Sequence, residues 1–344
     1  MNTFTDYLFH KTKKQLIDLA KIHQFHGYSV LKKAELAHKL AEYIYTPAVM
    51  YHFFVYLGED ELLLLNTQQK GFSPLYRRLY EGGYCFLQPD GSYEIPSALS
   101  ALFTPTDTFF KEQKIKSFLL DCVNTAGYLY GCCPVSIIEN IYNSYASYPL
   151  SQKMILEELQ SIPAYFHSFI IENDFVIQKS LYKNDLYKKI QKCQGLLPFF
   201  IPDKKTILHL SRFGYFPEDP YTKHLSLVLS QLPELPLETA QHLSGEIQAI
   251  FRQGGTIQDA LIYLQKSSFS AQLEPFLTTG MENPTKNKLL IALNQVFSHA
   301  PLLLNRGYTA AESIKLKQKR QKIYPNSRCP CGSGKKYKNC CGRH

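Results

Sequence analysis

Apolar residues recur at intervals of three and four along most of the chain, the spacing of helices that bury one face. In residues 12–23 this pattern places Leu16, Leu19, Ala20 and His23 on one side, and Gly27 ends it. A second stretch carries Leu36, Ala37, Leu40, Ala41 and Ile44, with Ser29 expected as its N-cap and Pro47 as its stop. The two predict a helix–extended loop–helix module over residues 1–46. In residues 47–106 helical spacing continues through Leu62–Leu65 and Pro74–Tyr80, and Gly82-Gly83 breaks it. Two short apolar runs then flank Pro89-Asp90-Gly91, a turn sequence that predicts a β-hairpin.

Residues 107–195 repeat that plan. A long helix over 109–130 puts Ile115, Phe118, Leu119, Cys122, Val123 and Ala126 on one face. Pro134 and Ser151 open two further helices, and the runs 166–171 and 175–178 flank the turn Glu172-Asn173-Asp174. Residues 196–308 are mainly helical, with helices expected at 238–252, 256–266 and 286–298. Thr309-Ala-Ala-Glu312 has the form of a capping box and opens a basic helix over 309–324. Residues 325–344 lack periodicity. The predicted fold class is mainly α with short β-hairpins, in several modules.

Composition fits real apolar cores: 45% of residues are hydrophobic and 19% charged. No apolar run reaches the roughly 18 residues of a membrane span, and the start shows no basic and apolar leader, so a soluble cytoplasmic protein is expected. Charge is concentrated. From Lys315 onward there are ten Lys or Arg and no Asp or Glu, in a chain of net charge +9. Such a segment attracts polyanions or acidic proteins; the alternative is a merely solvated basic helix. Arg77 and Arg78 fall on a predicted helix in the middle of the chain, a thin signal for DNA recognition.

Candidate chemistry lies at the C-terminal end. Of nine cysteines, four form two tight pairs, Cys329/Cys331 and Cys340/Cys341, with eight residues between them. Two short clusters joined by a Gly-rich turn can bring four thiolates onto one tetrahedral ion, with Zn2+ the expected metal. Gly332 and Gly334 permit the left-handed turns that fold one pair onto the other. Lys335, Lys336 and Lys338 favour thiolate over thiol. A disulfide is the competing reading, yet adjacent cysteines bridge poorly and nothing else suggests an oxidising compartment. Cys85, Cys122, Cys132, Cys133 and Cys193 are scattered and read as reduced thiols, with adjacent Cys132 and Cys133 as small buried hydrophobes. No catalytic motif was found: Gly-x-Ser-x-Gly, His-Glu-x-x-His and Gly-x-Gly-x-x-Gly are missing, and the eleven histidines are dispersed. A non-enzymatic protein with a structural metal is expected.

Cys329-x-Cys331, eight residues, then Cys340-Cys341, with Gly-Ser-Gly-Lys-Lys-Tyr-Lys between, resembles the SEC-C motif, the zinc-binding tail of the translocase motor SecA. Cys341 stands where those tails usually carry His, and His344 is a spare candidate ligand. The resemblance implies zinc on Cys329, Cys331, Cys340 and Cys341, and docking through Lys335, Lys336, Tyr337, Lys338 and Arg343. The partners it implies are an acidic chaperone or other acidic protein, the ribosome or RNA. The first 46 residues resemble the Rho-termination-factor N-terminal-like (SAP-like) family. That likeness implies DNA or RNA contact through Lys13, Lys14, Lys32 and Lys33, with protein contact as the alternative. Residues 47–106 and 107–195 resemble winged-helix units. The module order is similar to that of SEC-C proteins of low-GC Gram-positive bacteria. Two functions follow as expectations: a zinc-tailed adaptor, or a nucleic-acid-binding regulator.

Overall fold

Helical spacing of apolar residues becomes helix almost throughout the computed structural model, which describes residues 4–67, 75–166, 168–231, 235–267, 284–318, 324–329 and 331–343. The first helices are α1 (Phe4–Phe9), α2 (Lys13–Ile22), α3 (Lys33–Ile44), α4 (Pro47–Phe54), α5 (Glu59–Thr67) and α6 (Tyr76–Glu81). A hairpin of β1 (Phe86–Leu87) and β2 (Tyr93–Glu94) follows, then α7 (Leu99–Leu102) and the long α8 (Asp107–Tyr130). Next come β3 (Cys132–Pro134), α9 (Val135–Asn143), α10 (Gln152–Ser161), β4 (Phe169–Glu172), β5 (Phe175–Gln178), α11 (Lys179–Tyr182) and α12 (Leu186–Gln194). The chain continues through α13 (Lys204–Phe213), α14 (Pro220–Leu229), α15 (Leu237–Arg252), α16 (Ile257–Lys266), α17 (Pro284–His299) and α18 (Ala310–Gln318). The architecture is mainly α with two small antiparallel sheets, as the sequence predicts.

Contacts divide the chain into two units, residues 1–121 with 146–167 and residues 122–145 with 168–344. In the first unit, the predicted apolar faces of α2 and α3 are buried: Leu16, Leu19 and Ala20 on one, Leu36, Ala37, Leu40, Ala41 and Ile44 on the other. His23 closes this core. Its Nε2 donates to the carbonyl of Gly82 at 2.8 Å, and burial lowers its pKa to about 4. Ser29 is not the cap of α3. Residues 28–30 form a 3-10 turn, and Lys32 holds the N-cap position without a side-chain hydrogen bond. Pro47 does not merely stop α3: it sits in the first turn of α4, where its missing N–H costs nothing.

Arg78 is structural. It donates to Glu61 at 3.3 Å and lies 3.6 Å from Asp121, and both carboxylates are almost fully buried. A guanidinium enclosed by two buried carboxylates is not offered to DNA. Arg77 is exposed and pairs with Glu81 one turn on. Pro74, expected in this helix, lies outside the described residues.

The second unit holds two main features. One is a core in which Leu225 and Leu229 of α14, Ile247 and Phe251 of α15, Leu264 of α16 and Leu293 of α17 meet. The other is a three-stranded sheet in the order β3-β5-β4. The β4–β5 hairpin turns at Asn173 and Asp174, both with positive φ. Strand β3 adds to it by pairing Cys132 with Ile177 and Pro134 with Phe175. Pro134 ends this strand and caps α9, so the strand passes directly into the helix. Thr309 and Glu312 exchange the expected capping hydrogen bonds at the start of α18.

Candidate metal centre

The last described segment is a knuckle made from backbone turns. Arg328 bridges Lys336 in antiparallel fashion, Cys329 N–H donates to the carbonyl of Lys335 at 2.7 Å, and Tyr337 N–H donates to that of Ser327 at 2.8 Å. Between them the chain reverses through Gly332 and Gly334, at φ +83° and +72°. Residues 337–339 then form one 3-10 turn that delivers Cys340 and Cys341. Gly342 lies so close to the Tyr337 ring that an added Cβ would stand 2.7 Å from it. Tyr337 therefore packs within the knuckle.

These turns bring the four predicted cysteines together, with all four sulfurs within 4.8 Å of one another. Cys331 Sγ is 3.4 Å from Cys340 Sγ, and Cys340 Sγ is 3.9 Å from Cys341 Sγ. Metal–sulfur bonds of about 2.3 Å in tetrahedral array need sulfurs about 3.8 Å apart, so the spacing suits one ion. It does not suit a disulfide, and all nine cysteines are free thiols. Ser333 was not singled out from sequence. Its Oγ lies 3.2 Å from Cys331 Sγ and 3.1 Å from Cys340 Sγ, bridging the two.

Electrostatics support the same fit. Burial pushes the Cys329 thiol up, but hydrogen bonds from the backbone N–H groups of Cys331 and Cys341, with help from their thiols, bring it down to about 7. Burial raises the Cys331 thiol, against hydrogen bonds from Ser333. Burial, hydrogen bonds to Cys329 and Cys331 and the charge of those two raise Cys341. One thiolate forms readily and the next is opposed by its neighbours' charge. A divalent cation removes that opposition.

Around the sulfurs, Lys335, Lys336, Lys338 and Arg343 are exposed, whereas Tyr337 is half-buried. Lys315, Lys317 and Arg328 are also exposed. Lys319, Arg320, Lys322 and His344 lie outside the described residues. At the other end of the chain, Lys13, Lys14, Lys32 and Lys33 are all exposed in the opening turns of α2 and α3. Among the described residues, no helix is long and apolar enough to cross a membrane.

Comparison with known proteins agrees with the knuckle. The SEC-C motif matches residues 326–343. Protein translocase subunit SecA of Clostridium novyi (strain NT) is 71% identical over 28 residues, 8% of this chain and 3% of that protein. SecA of Syntrophus aciditrophicus (strain SB) is 50% identical over 40 residues, 12% of this chain and 5% of its own length. SecA of Lachnoclostridium phytofermentans is 53% identical over 64 residues, 18% of this chain and 8% of its own. The chain thus spans under a tenth of these relatives. No solved structure matches. The N-terminal Rho-like and winged-helix likenesses gain no support, whereas the chain carries a SEC-C motif bearing a four-cysteine cluster that could hold a metal ion.

Proposed function

We propose that the protein is a non-enzymatic adaptor whose C-terminal knuckle, cross-linked by zinc on Cys329, Cys331, Cys340 and Cys341, docks onto an acidic partner. The observation that carries this reading is the division of the knuckle into two zones. Four convergent sulfurs lie inside, and an exposed set of Lys335, Lys336, Lys338 and Arg343 lies outside. Zinc bound there would supply a cross-link that fixes the turns of a segment too small to have an apolar core. Four protein ligands leave no open position for substrate, which marks a structural centre. Tyr337 contributes packing against Gly342 more than partner contact.

The likeness to a translocase subunit favours partners met by nascent or exported chains, with the ribosome first and an acidic chaperone second. Co-sedimentation with ribosomes at low and high salt tests this. Salt-sensitive binding should be lost in Cys340→Ser and in a triple Lys335, Lys336 and Lys338→Glu variant. Absence of binding at low salt contradicts it. The exposure of Lys13, Lys14, Lys32 and Lys33 favours a second reading, nucleic-acid contact by the N-terminal module. Substituting Lys32 and Lys33 by Glu would abolish that activity alone.

A further inference from the structure

Within the second unit the knuckle packs against the β3–α9 junction. The carbonyl of Gly332 accepts a hydrogen bond from Ser136 Oγ, in the first turn of α9. A Cβ placed on Gly332 would stand 3.0 Å from Ile137 Cδ1 and 3.3 Å from Pro134 Cγ. Gly332 is thus needed twice, for its positive φ and for a backbone approach that a side chain would block.

Beside this seat lies Arg306, which is 5% exposed and has φ +53°. Its guanidinium donates to the carbonyls of Leu197 and Gly195 and to Gln194 Oε1, and it stacks over Phe199 at 4.1 Å. These partners are neutral. Within electrostatic reach of Arg306 are cysteine thiols, Cys331 and Cys341 of the knuckle first, then Cys133 and Cys132 of β3, and burial raises all four, so they carry charge only where a metal displaces their protons. A buried cation is costly without an opposing charge. Four thiolates around a dication carry a net double negative charge. Each therefore answers a need of the other, and neither Ser136 nor Arg306 falls within the matched motif at 326–343.

We infer that the metal centre extends beyond the motif: Ser136, Pro134 and Ile137 seat the knuckle and Arg306 supplies its outer-shell counter-charge. Metal bound at the cysteines then steadies the β3–α9 junction as well as the last twenty residues. Arg306 and Ser136 are positioning residues, acting through the first-shell sulfurs. The inference rests on the metal reading above.

The test uses the full chain, with zinc content and hydrogen exchange measured on the same samples before and after chelation. With one zinc bound, exchange in peptides covering residues 132–143 should be slower by roughly tenfold or more. Gly332→Ala and Ser136→Ala should still bind one zinc but lose most of that protection. Arg306→Gln should weaken zinc in a chelator competition by roughly 10- to 100-fold, with Arg306→Lys recovering much of it. If Arg306→Gln does not fold, the Gly332 and Ser136 variants decide. One zinc bound with no change in residues 132–143, or equal protection in those two variants, overturns the inference and leaves the metal reading standing. No zinc bound overturns both.

Discussion

The core of α14–α17 and the knuckle at residues 324–343 hold their shapes by opposite means. In the core, Leu225, Ile247, Phe251, Leu264 and Leu293 leave water together, each worth about 1.5–3 kcal/mol. Among the described residues of the knuckle, Cys329 alone counts as buried apolar surface, and the chain is held by backbone turns and four sulfurs. A segment of that size cannot offset its conformational entropy by burial alone. The difference teaches where a metal belongs in a chain: where sequence supplies turns and donors but no apolar face.

The largest expected effect breaks the comparison at the knuckle. Chelation, or Cys340→Ser, should remove a local stabilisation on the order of 10 kcal/mol. Amides of residues 324–343 should then exchange freely, while the helical circular dichroism at room temperature persists. Zinc affinity should fall steeply with acid, because raised thiols such as Cys331 and Cys341 must lose protons on binding. Competition with a chelator across pH 6–8 reads that slope.

The converse substitution is Phe251→Ala, at a ring fully enclosed in the core. It should cost about 3–5 kcal/mol in denaturant unfolding and leave the zinc content unchanged. Loss of zinc in this variant would show that the two regions are not separately maintained.

A third contrast uses acid in the first unit. His23 is held neutral, with its pKa lowered from 6.5 to about 4 by burial. The folded state therefore binds its proton less readily than the unfolded chain does. Its contribution is complete above pH 6.5 and is lost as pH falls towards 4, up to about 3 kcal/mol. Thermal melts between pH 7 and 4 should show the decline, and His23→Gln should flatten it. The smallest effect concerns α18, which leads to the knuckle. Thr309→Ala removes a capping oxygen and should cost about 1 kcal/mol of local helix stability, read as faster exchange at residues 310–313 without loss of zinc.

What could be read from sequence follows the range of the interactions. The buried faces of α2 and α3, the two hairpins, the capping box at Thr309 and the four clustered cysteines depend on residues a few positions apart. The spacing of Gly332 and Gly334 announced their positive φ for the same reason. The misreadings were contests between local signals: Ser29 could cap a helix, but a 3-10 turn takes that position and the helix begins at Lys33. Other features were hidden because their partners are distant. Nothing near Arg78 announces Asp121, nothing near Cys132 announces Ile177, and Ser136 meets Gly332 across nearly two hundred residues. A cationic helix looks alike from sequence whether its arginine faces a phosphate or a buried carboxylate.

Whether residues 326–343 form a metal-cross-linked head is read by elemental analysis of the purified full chain beside Cys340→Ser. One zinc per chain is expected in the native protein and little or none in the variant. A native protein free of metal whose 324–343 amides remain protected in chelator would contradict it.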